Sequence, residues 1–419
     1  MPGLTPGTDI WTWGETRVAA AAASGGYHRA VMIYLDHAAT TPVRREVLEA
    51  MLPYFTEHWG NPSSIYAAGR RARQALDESR ETIARALGAK PREIVFTSGG
   101  TESDNLAVKG IAWAASARGR HIVTSSVEHH AVLHTCQVLE RSGFEVTYLP
   151  VDRWGRVDPD DVAAAIGEHT ILVTIMAASN EVGTVQPVAE IGAICRERRV
   201  PFHTDAVQAA GAMPLDVDTL GVDLLSLGAH KLYGPKGIGA LFVRQGTQML
   251  PQMQGGTQER QRRAGTENVP LAVGFARALQ LASADRDEEN ARQVALRDRL
   301  IDGLVAIDDV ELSGHATERL PNSASVVIDG VEGGDLIAAL DVAGIAASTG
   351  SACTSGSLEP SHVLLAMGIA PQLAHGSLRL TVGRGTTEVE VERTLAVTRE
   401  AVSRLRALVG PRPAVASVS

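Results

Sequence analysis

Short apolar segments alternate with helical patterns through more than half of this 419-residue chain. The apolar segments span residues 94–97, 121–125, 170–176, 201–204, 224–227 and 238–243. Helical patterns fill several of the gaps, at residues 70–87, 104–115, 130–142 and 188–199. Strands that are apolar on both faces and separated by helices are typical of a doubly wound, mainly parallel α/β sheet. Because ligands bind at the carboxyl ends of the strands in such sheets, we expect the functional residues there.

The sequence changes character near residue 285. Residues 31–285 are predicted to form a large sheet domain, although the first of them could join the second domain. Residues 286–410 are predicted to form a smaller α+β domain. Residues 1–30 predict a mobile extension, and residues 411–419 predict a disordered tail.

Composition narrows the possible partners. Lys and Arg total 39 and Asp and Glu total 48, which gives a net charge of −9. An acidic chain without a basic tract is a poor candidate for direct nucleic-acid or anionic-membrane binding. No apolar run approaches the roughly 20 residues that a membrane-spanning helix needs. The 3 cysteines do not form a disulfide framework, which predicts a cytoplasmic location.

A strand, a glycine turn and a helix start follow one another at residues 94–106. Glycines let the backbone approach a ligand closely, and the free N–H groups of a helix N-terminus bind phosphate. The segment therefore predicts a phosphate site at Gly100 and Thr101. The alternative is a simple helix cap, with Thr101 as the capping residue and Asp104 at the third position.

Two other strands end in residues that favour a cofactor with a protonated ring. Asp205 ends one strand and could pair with the ring nitrogen of pyridoxal phosphate; a helix cap or a structural ion pair is the alternative. Lys231 ends another, where desolvation would free its amine for a Schiff base; the alternative is a lysine that extends to solvent. Lys236 lies in a turn and is expected to face solvent.

His129 and Arg379 are further candidates. His129 follows a strand and could stack on a planar ring or move protons, or it could be structural. Its neighbour His130 adds no wider Cys/His spacing, so no metal site is predicted. Arg379 could bind a carboxylate through two donors, or it could lie on the surface of its strand.

The three cysteines differ in their surroundings. Cys136 and Cys195 share helix faces with apolar residues and are predicted to pack in the core. Cys353 lies among small residues at 347–357, which cannot pack a core. It is therefore predicted to be an exposed nucleophile. Together these features indicate a pyridoxal-phosphate enzyme that acts on an amino acid and has a second site of covalent attachment for a soft atom.

Six motifs strengthen this interpretation, at residues 34–42, 96–105, 179–183, 228–237, 263–268 and 350–361. They resemble the NifS/IscS group of cysteine desulfurases, within the class-V aminotransferase superfamily, over residues 32–408. The resemblance implies the pyridoxal-phosphate-dependent transferase fold type I and a homodimer. It also implies conversion of L-cysteine to L-alanine, with sulfur held as a persulfide on Cys353. Acceptor proteins, such as an iron–sulfur scaffold or a tRNA-thiolation enzyme, would then take the sulfur.

The same resemblance implies roles for the residues around the cofactor. Lys231 would attach pyridoxal 5'-phosphate, Asp205 would pair with its ring nitrogen, and His129 would stack on the ring. Gly100, Thr101 and His230 would bind the phosphate, and Gln208 the phenolic oxygen. Asn180 and Arg379 would bind the substrate carboxylate, with Asn180 also near the cofactor, and Thr266 would reach the cofactor of the neighbouring subunit.

Two positions depart from the family pattern. Gly228 stands where relatives often have Ser, which removes one hydroxyl contact to the phosphate, and Ser179 stands where Asn is common. A selenocysteine lyase or a related C–S lyase with the same cofactor is the nearest alternative function. A non-catalytic scaffold for sulfur assembly is disfavoured because Lys231, Asp205 and Cys353 are all present.

Overall fold

The computed structural model describes residues 32–350 and 360–409. The predicted extension at 1–30, the predicted tail at 411–419 and Cys353 lie outside these residues. The strands are β1 (Ile33–Tyr34), β2 (Ile94–Thr97), β3 (His121–Ser125), β4 (Glu145–Leu149), β5 (Thr170–Thr174), β6 (Phe202–Asp205), β7 (Leu224–Gly228), β8 (Gly239–Val243), β9 (Val310–Leu312), β10 (Ser323–Ile328), β11 (Ile345–Ala346) and β12 (Ser377–Thr381).

The α-helices of the described residues cover both faces of the larger sheet and one side of the smaller one. They are α1 (Arg45–Met51), α2 (Pro53–Thr56), α3 (Ala67–Ala86), α4 (Gly100–Ala115), α5 (His130–Arg141), α6 (Pro159–Ala165), α7 (Val188–Arg198), α8 (Val217–Leu220), α9 (Val269–Val305), α10 (Gly333–Val342), α11 (His362–Ala366), α12 (Pro371–Ala374) and α13 (Glu388–Val409). Short 3-10 turns occur at Pro91–Glu93, Ala229–Lys231 and Gln258–Gln261.

The large sheet has seven strands in the order β2-β8-β7-β6-β5-β3-β4. All neighbouring pairs are parallel except those of β8, which runs antiparallel to β2 and β7. The connection from β7 to β8 contains only a 3-10 turn and no crossover helix, which is why the two strands can pair antiparallel. The predicted doubly wound, mainly parallel sheet is confirmed.

Alternate residues of the central strands enter two different cores, one on each face of the sheet. Val173 and Leu225 pack into one core, whereas Leu172 and Leu224 pack into the other. A side-chain period of two with both faces buried explains why these strands are apolar throughout.

A smaller α+β unit has its own core. Its three-stranded antiparallel sheet has the order β12-β10-β9, and β1 pairs in parallel with β11. Ile33 and Leu35 pack in this second core, together with Leu300 and Leu380. The first described residues therefore join the smaller unit.

Helix α9 links the two units without a break. Phe275 and Leu279 pack in a core of the large sheet, and Leu296 and Leu304 pack in the core of the smaller unit. The proposed boundary between residues 285 and 286 falls inside this helix. Within residues 32–350 and 360–409, no helix is long and apolar enough to cross a membrane.

Candidate active site

A cavity of about 410 Å³ lies at the carboxyl edge of the large sheet, against the smaller unit. Its volume is within the roughly 300–1,000 Å³ typical of ligand pockets. The sheet contributes residues that follow five different strands, and the smaller unit contributes Gly350, His362 and Arg379. Sequence-predicted residues on its wall are Gly100, Thr101, His129, Asn180, Asp205, Gln208, His230, Lys231 and Arg379.

One end of the cavity is formed by the start of α4. The helix begins at Gly100, with Gly99 as its N-cap residue and no side-chain cap, so the interpretation of Thr101 as the capping residue is wrong. The first N–H groups of a helix have no partner within it and can bind an anion. Gly228 lies beside them, because a Cβ built on it would be 3.6 Å from the Gly100 nitrogen.

His230 adds a neutral donor or acceptor at the same end. Its Nδ1 is 3.1 Å from the Thr40 hydroxyl. Burial, and then the charges of Lys231 and Lys236, lower the pKa of His230 to about 4. At neutral pH His230 therefore adds a hydrogen-bonding group and no positive charge.

Asp205 and His129 form the inner wall. Asp205 is buried, and one of its carboxylate oxygens accepts a hydrogen bond from the Val207 N–H at 2.9 Å. Burial raises the pKa of Asp205, while His129 and Lys231 act in the opposite direction. His129 caps α5 by accepting the Ala131 N–H on Nδ1 at 3.1 Å, so in the neutral ring the proton is on Nε2. His129 is therefore both a structural cap and a wall of the cavity.

Lys231 ends the 3-10 turn after β7, in the same cavity as Asp205. Its Nζ donates to the carbonyl oxygens of Ala38 and Ala39, the latter at 2.8 Å. Gln208 also donates to the Ala38 carbonyl, at 3.0 Å. Lys236 is exposed, as the sequence predicts.

Arg379 is buried on β12, with an exposure of 1%, so the alternative of a strand-surface arginine is wrong. Its Nη2 is 2.6 Å from a carboxylate oxygen of Asp36. Its Nη1 donates to the carbonyl oxygens of Asn180, at 2.8 Å, and Gly350, at 3.0 Å. Arg379 thus holds the backbone of Asn180 at the cavity wall, and Asp36 is its existing carboxylate partner.

Thr266 does not line this cavity. It is exposed and lies in a separate surface cleft with Tyr54, Trp59 and Asn61. The other two cysteines are core residues, as predicted: Cys136 and Cys195 are buried, and burial raises the pKa of each thiol to about 12.

Comparison with known proteins identifies the family. The model of the family described as "Aminotransferase class-V" matches residues 33–394. The chain belongs to the class-V aminotransferase family.

Individual relatives of this class-V aminotransferase chain agree with that assignment. A protein named cysteine desulfurase IscS from Methanosarcina thermophila is 56% identical over 374 residues, covering 89% of this chain and 93% of the relative. One of the same name from Dictyoglomus turgidum is 53% identical, covering 90% and 96%. A solved structure titled "NIFS-LIKE PROTEIN" aligns with a TM-score of 0.84 and 38% identity, covering 89% of this chain and 100% of that one.

Class-V aminotransferase enzymes and their cysteine desulfurase members use pyridoxal 5'-phosphate, and this cavity fits that group. A phosphate would meet the open N-terminus of α4 and the backbone beside Gly228, which has no Cβ to fill the space. A buried carboxylate, Asp205, and a lysine amine, Lys231, are available for the ring nitrogen and the aldehyde. The residues present therefore fit the phosphate, the ring nitrogen and the aldehyde of this cofactor.

Three carboxyl side chains lie near the cavity at positions that the sequence alone does not predict. Asp36 pairs with Arg379, Asp104 is buried beside Asp205, and Glu128 is fully buried next to His129. Among the described residues, only Asp104, His129 and Asp205 bring three metal-ligating atoms within 4.8 Å of one another. When the cofactor is bound, Asp205 would hold its protonated ring nitrogen, which would add a positive charge beside this group.

Proposed function

We propose that this chain is a pyridoxal-phosphate-dependent cysteine desulfurase that converts L-cysteine to L-alanine and transfers the sulfur to Cys353. The observation that carries the proposal is that Lys231, Asp205 and Arg379 line one cavity together with Gly350. Gly350 is three residues before Cys353 in the sequence, and three residues span at most about 11 Å. The names of the relatives support the same activity.

The chain's own groups would bind and orient the substrate. Pyridoxal phosphate, when bound, takes up the electrons of bonds that break at the substrate's α-carbon. The Lys231 amine is the base that removes the α-proton, and Asp205 keeps a proton on the ring nitrogen. Arg379 and Asn180 orient the substrate carboxylate, and Arg379 does so while it also contacts Asp36.

Sulfur transfer requires a thiolate that attacks the substrate's sulfur, and Cys353 is proposed to supply it. The Cys353 thiolate attacks the sulfur of the bound cysteine, so that an S–S bond forms as the substrate's C–S bond breaks. The three-carbon product then gains a proton at its β-carbon, regains one at its α-carbon and leaves as L-alanine. His129, with its ring proton on Nε2, is on the cavity wall and can deliver one of these protons.

The active form is proposed to be a homodimer. Six exposed apolar side chains occur between the start of α1 and the start of α3: Leu48, Leu52, Phe55, Trp59, Ile65 and Tyr66. Exposed apolar surface is often a protein interface. Trp59 shares a cleft with Thr266, so pairing through this face would bring Thr266 towards a partner subunit. We also propose that sulfur-acceptor proteins take the sulfur from Cys353 and that the enzyme acts in the cytoplasm.

The proposal is tested by incubating the holoenzyme with L-cysteine. We expect one alanine for each sulfur transferred, and mass spectrometry should map a persulfide to Cys353 and not to Cys136 or Cys195. Cys353→Ser should abolish persulfide formation, whereas Cys136→Ala, at a buried cysteine, should retain it. Undiminished sulfide release by Cys353→Ser would contradict the proposed role of this thiol.

A further inference from the structure

Three carboxyl groups are buried at the cavity, and those of Asp104 and Asp205 line it. Asp104 lies near the start of α4, Glu128 follows β3, and Asp205 ends β6; their exposures are 1%, 0% and 8%. A carboxylate oxygen of Asp104 lies within 4.8 Å of one from Asp205, and both lie within that distance of a His129 ring nitrogen. Three negative charges in so small a buried volume would be very unfavourable.

Within residues 32–350 and 360–409, no lysine or arginine forms an ion pair with Asp104, whose one ion-pair contact is with His203. Asp104 Oδ1 accepts no hydrogen bond from any residue that the structure describes. His203 Nε2 lies 3.7 Å from Asp104 Oδ1. The His203 ring is hydrogen-bonded to the Ser226 hydroxyl at 2.9 Å and to the Thr174 hydroxyl at 2.8 Å. Burial lowers the pKa of His203 to about 3, so the ring is neutral at physiological pH.

For Asp205, the His129 ring and then the Lys231 charge favour the ionised form. Glu128 is the third carboxyl. It accepts hydrogen bonds from the Ser125 hydroxyl at 2.7 Å and the Met176 N–H at 2.9 Å, yet burial raises its pKa to about 8. The charge in this cluster therefore belongs on Asp205.

We propose that Asp104 is a positioning residue that remains a neutral carboxylic acid, so that Asp104 and Asp205 together present one negative charge to the cofactor's ring nitrogen. The inference rests on the proposed function for the identity of the cofactor only. It follows from the geometry, since two carboxyls this close in a buried site cannot both ionise. Asp205 accepts the Val207 N–H and is favoured in its ionised form by Lys231, whereas Asp104 Oδ1 accepts no hydrogen bond from any described residue. Burial, and then the charge of Asp205, raise the pKa of Asp104 well above its usual range.

The groups that face Asp104 fix the expected pH dependence. They are Asp205 and His203 on β6, Glu128 after β3 and His129 at the start of α5. A carboxyl whose pKa is raised in the folded state holds a proton that the unfolded chain releases. Its presence therefore costs stability progressively as pH rises above the unfolded value of about 3.9.

The test compares Asp104→Asn with wild type as cofactor-free protein. Asparagine has the same shape and cannot ionise, so the folding equilibrium of the variant should improve relative to wild type by up to about tenfold per pH unit between pH 5 and the folded pKa of Asp104. Thermal unfolding of both proteins at several pH values measures this. A difference that is flat or that declines with pH would overturn the proposal.

Two further measurements keep the inference testable. With pyridoxal phosphate bound, Asp205→Asn should shift the pH midpoint of the visible band much more than Asp104→Asn does; equal shifts would place the charge on both residues and refute the assignment. If the Asn variant does not fold, infrared spectra of wild-type protein with ¹³C-labelled aspartate should show a protonated carboxyl near neutral pH. Its absence would also refute the proposal. None of these readouts depends on cysteine turnover, so a failed desulfurase assay would not be confused with them.

Discussion

Replacing Gly228 by Ser tests the phosphate end of the cavity. Gly228 has φ −134° and ψ 124°, an extended conformation that any residue adopts. A Cβ at this position would meet Val207 Cγ1 at 3.5 Å, the Gly100 nitrogen at 3.6 Å and His230 Cδ2 at 3.8 Å, which are ordinary contacts. A serine side chain therefore fits, and its hydroxyl would lie beside the N-terminus of α4.

The magnitude follows from the hydrogen bond that the hydroxyl would add. A hydrogen bond to a charged group contributes about 1.5–3 kcal/mol. Since each 1.4 kcal/mol is tenfold in affinity, Gly228→Ser should bind pyridoxal phosphate about 10- to 150-fold more tightly than the native protein. Gly228→Ala is the matched control, because it adds the same Cβ without the hydroxyl, and its affinity should stay near that of the native protein.

Equilibrium dialysis of the cofactor against apo protein measures the three dissociation constants. If Gly228→Ser binds no more tightly than Gly228→Ala, the phosphate does not lie against Gly228. A loss of affinity in both variants would mean instead that the open space beside Gly100 is needed by the ligand itself.

Three other substitutions have definite expected outcomes. Lys231→Ala should remove the visible absorbance of the lysine-bound cofactor while Lys236→Ala keeps it, and the reverse result would mean that Lys236 is the attachment site. Arg80 forms a buried ion pair with Glu259 through two hydrogen bonds of 2.7 Å. Arg80→Ala should therefore lower the free energy of unfolding by about 3–5 kcal/mol. If chemical denaturation detects a decrease of less than about 1 kcal/mol, the pair behaves as an exposed one and the reasoning is wrong. Trp59→Asp should dissociate the proposed homodimer in light-scattering measurements. Val342→Asp, at a valine outside this region that is 90% exposed, should remain a dimer. If both variants are monomers, or if both are dimers, the proposed interface is refuted.

Local sequence determined the central strands well. The apolar segments at residues 94–97 and 121–125 coincide with β2 and β3, because strands buried on both faces must be apolar throughout. β4 had no such signal. It is an edge strand in which only Leu149 is fully buried, and its polar residues interrupt the apolar pattern.

The chemistry at the strand ends was also readable from the sequence. Lys231 and Asp205 each follow an apolar run, and parallel strands bring their carboxyl ends to one edge. The structure places both residues on one cavity. Their roles in catalysis stay predictions until the variants are measured.

Contacts between distant segments were decided only by the tertiary structure. Arg379 reads as an ordinary strand arginine until β12 is buried and its guanidinium meets Asp36, 343 residues away in the chain. Asp104 reads as a helix-capping residue until α4 packs on the sheet and brings it beside Asp205. A residue's own neighbours fix its backbone preference and its apolar pattern, but the charge that a buried carboxyl carries depends on which distant groups surround it. For that physical reason the sequence determined which chemical groups this protein has, and the packing decided which of them are ionised, paired or hidden.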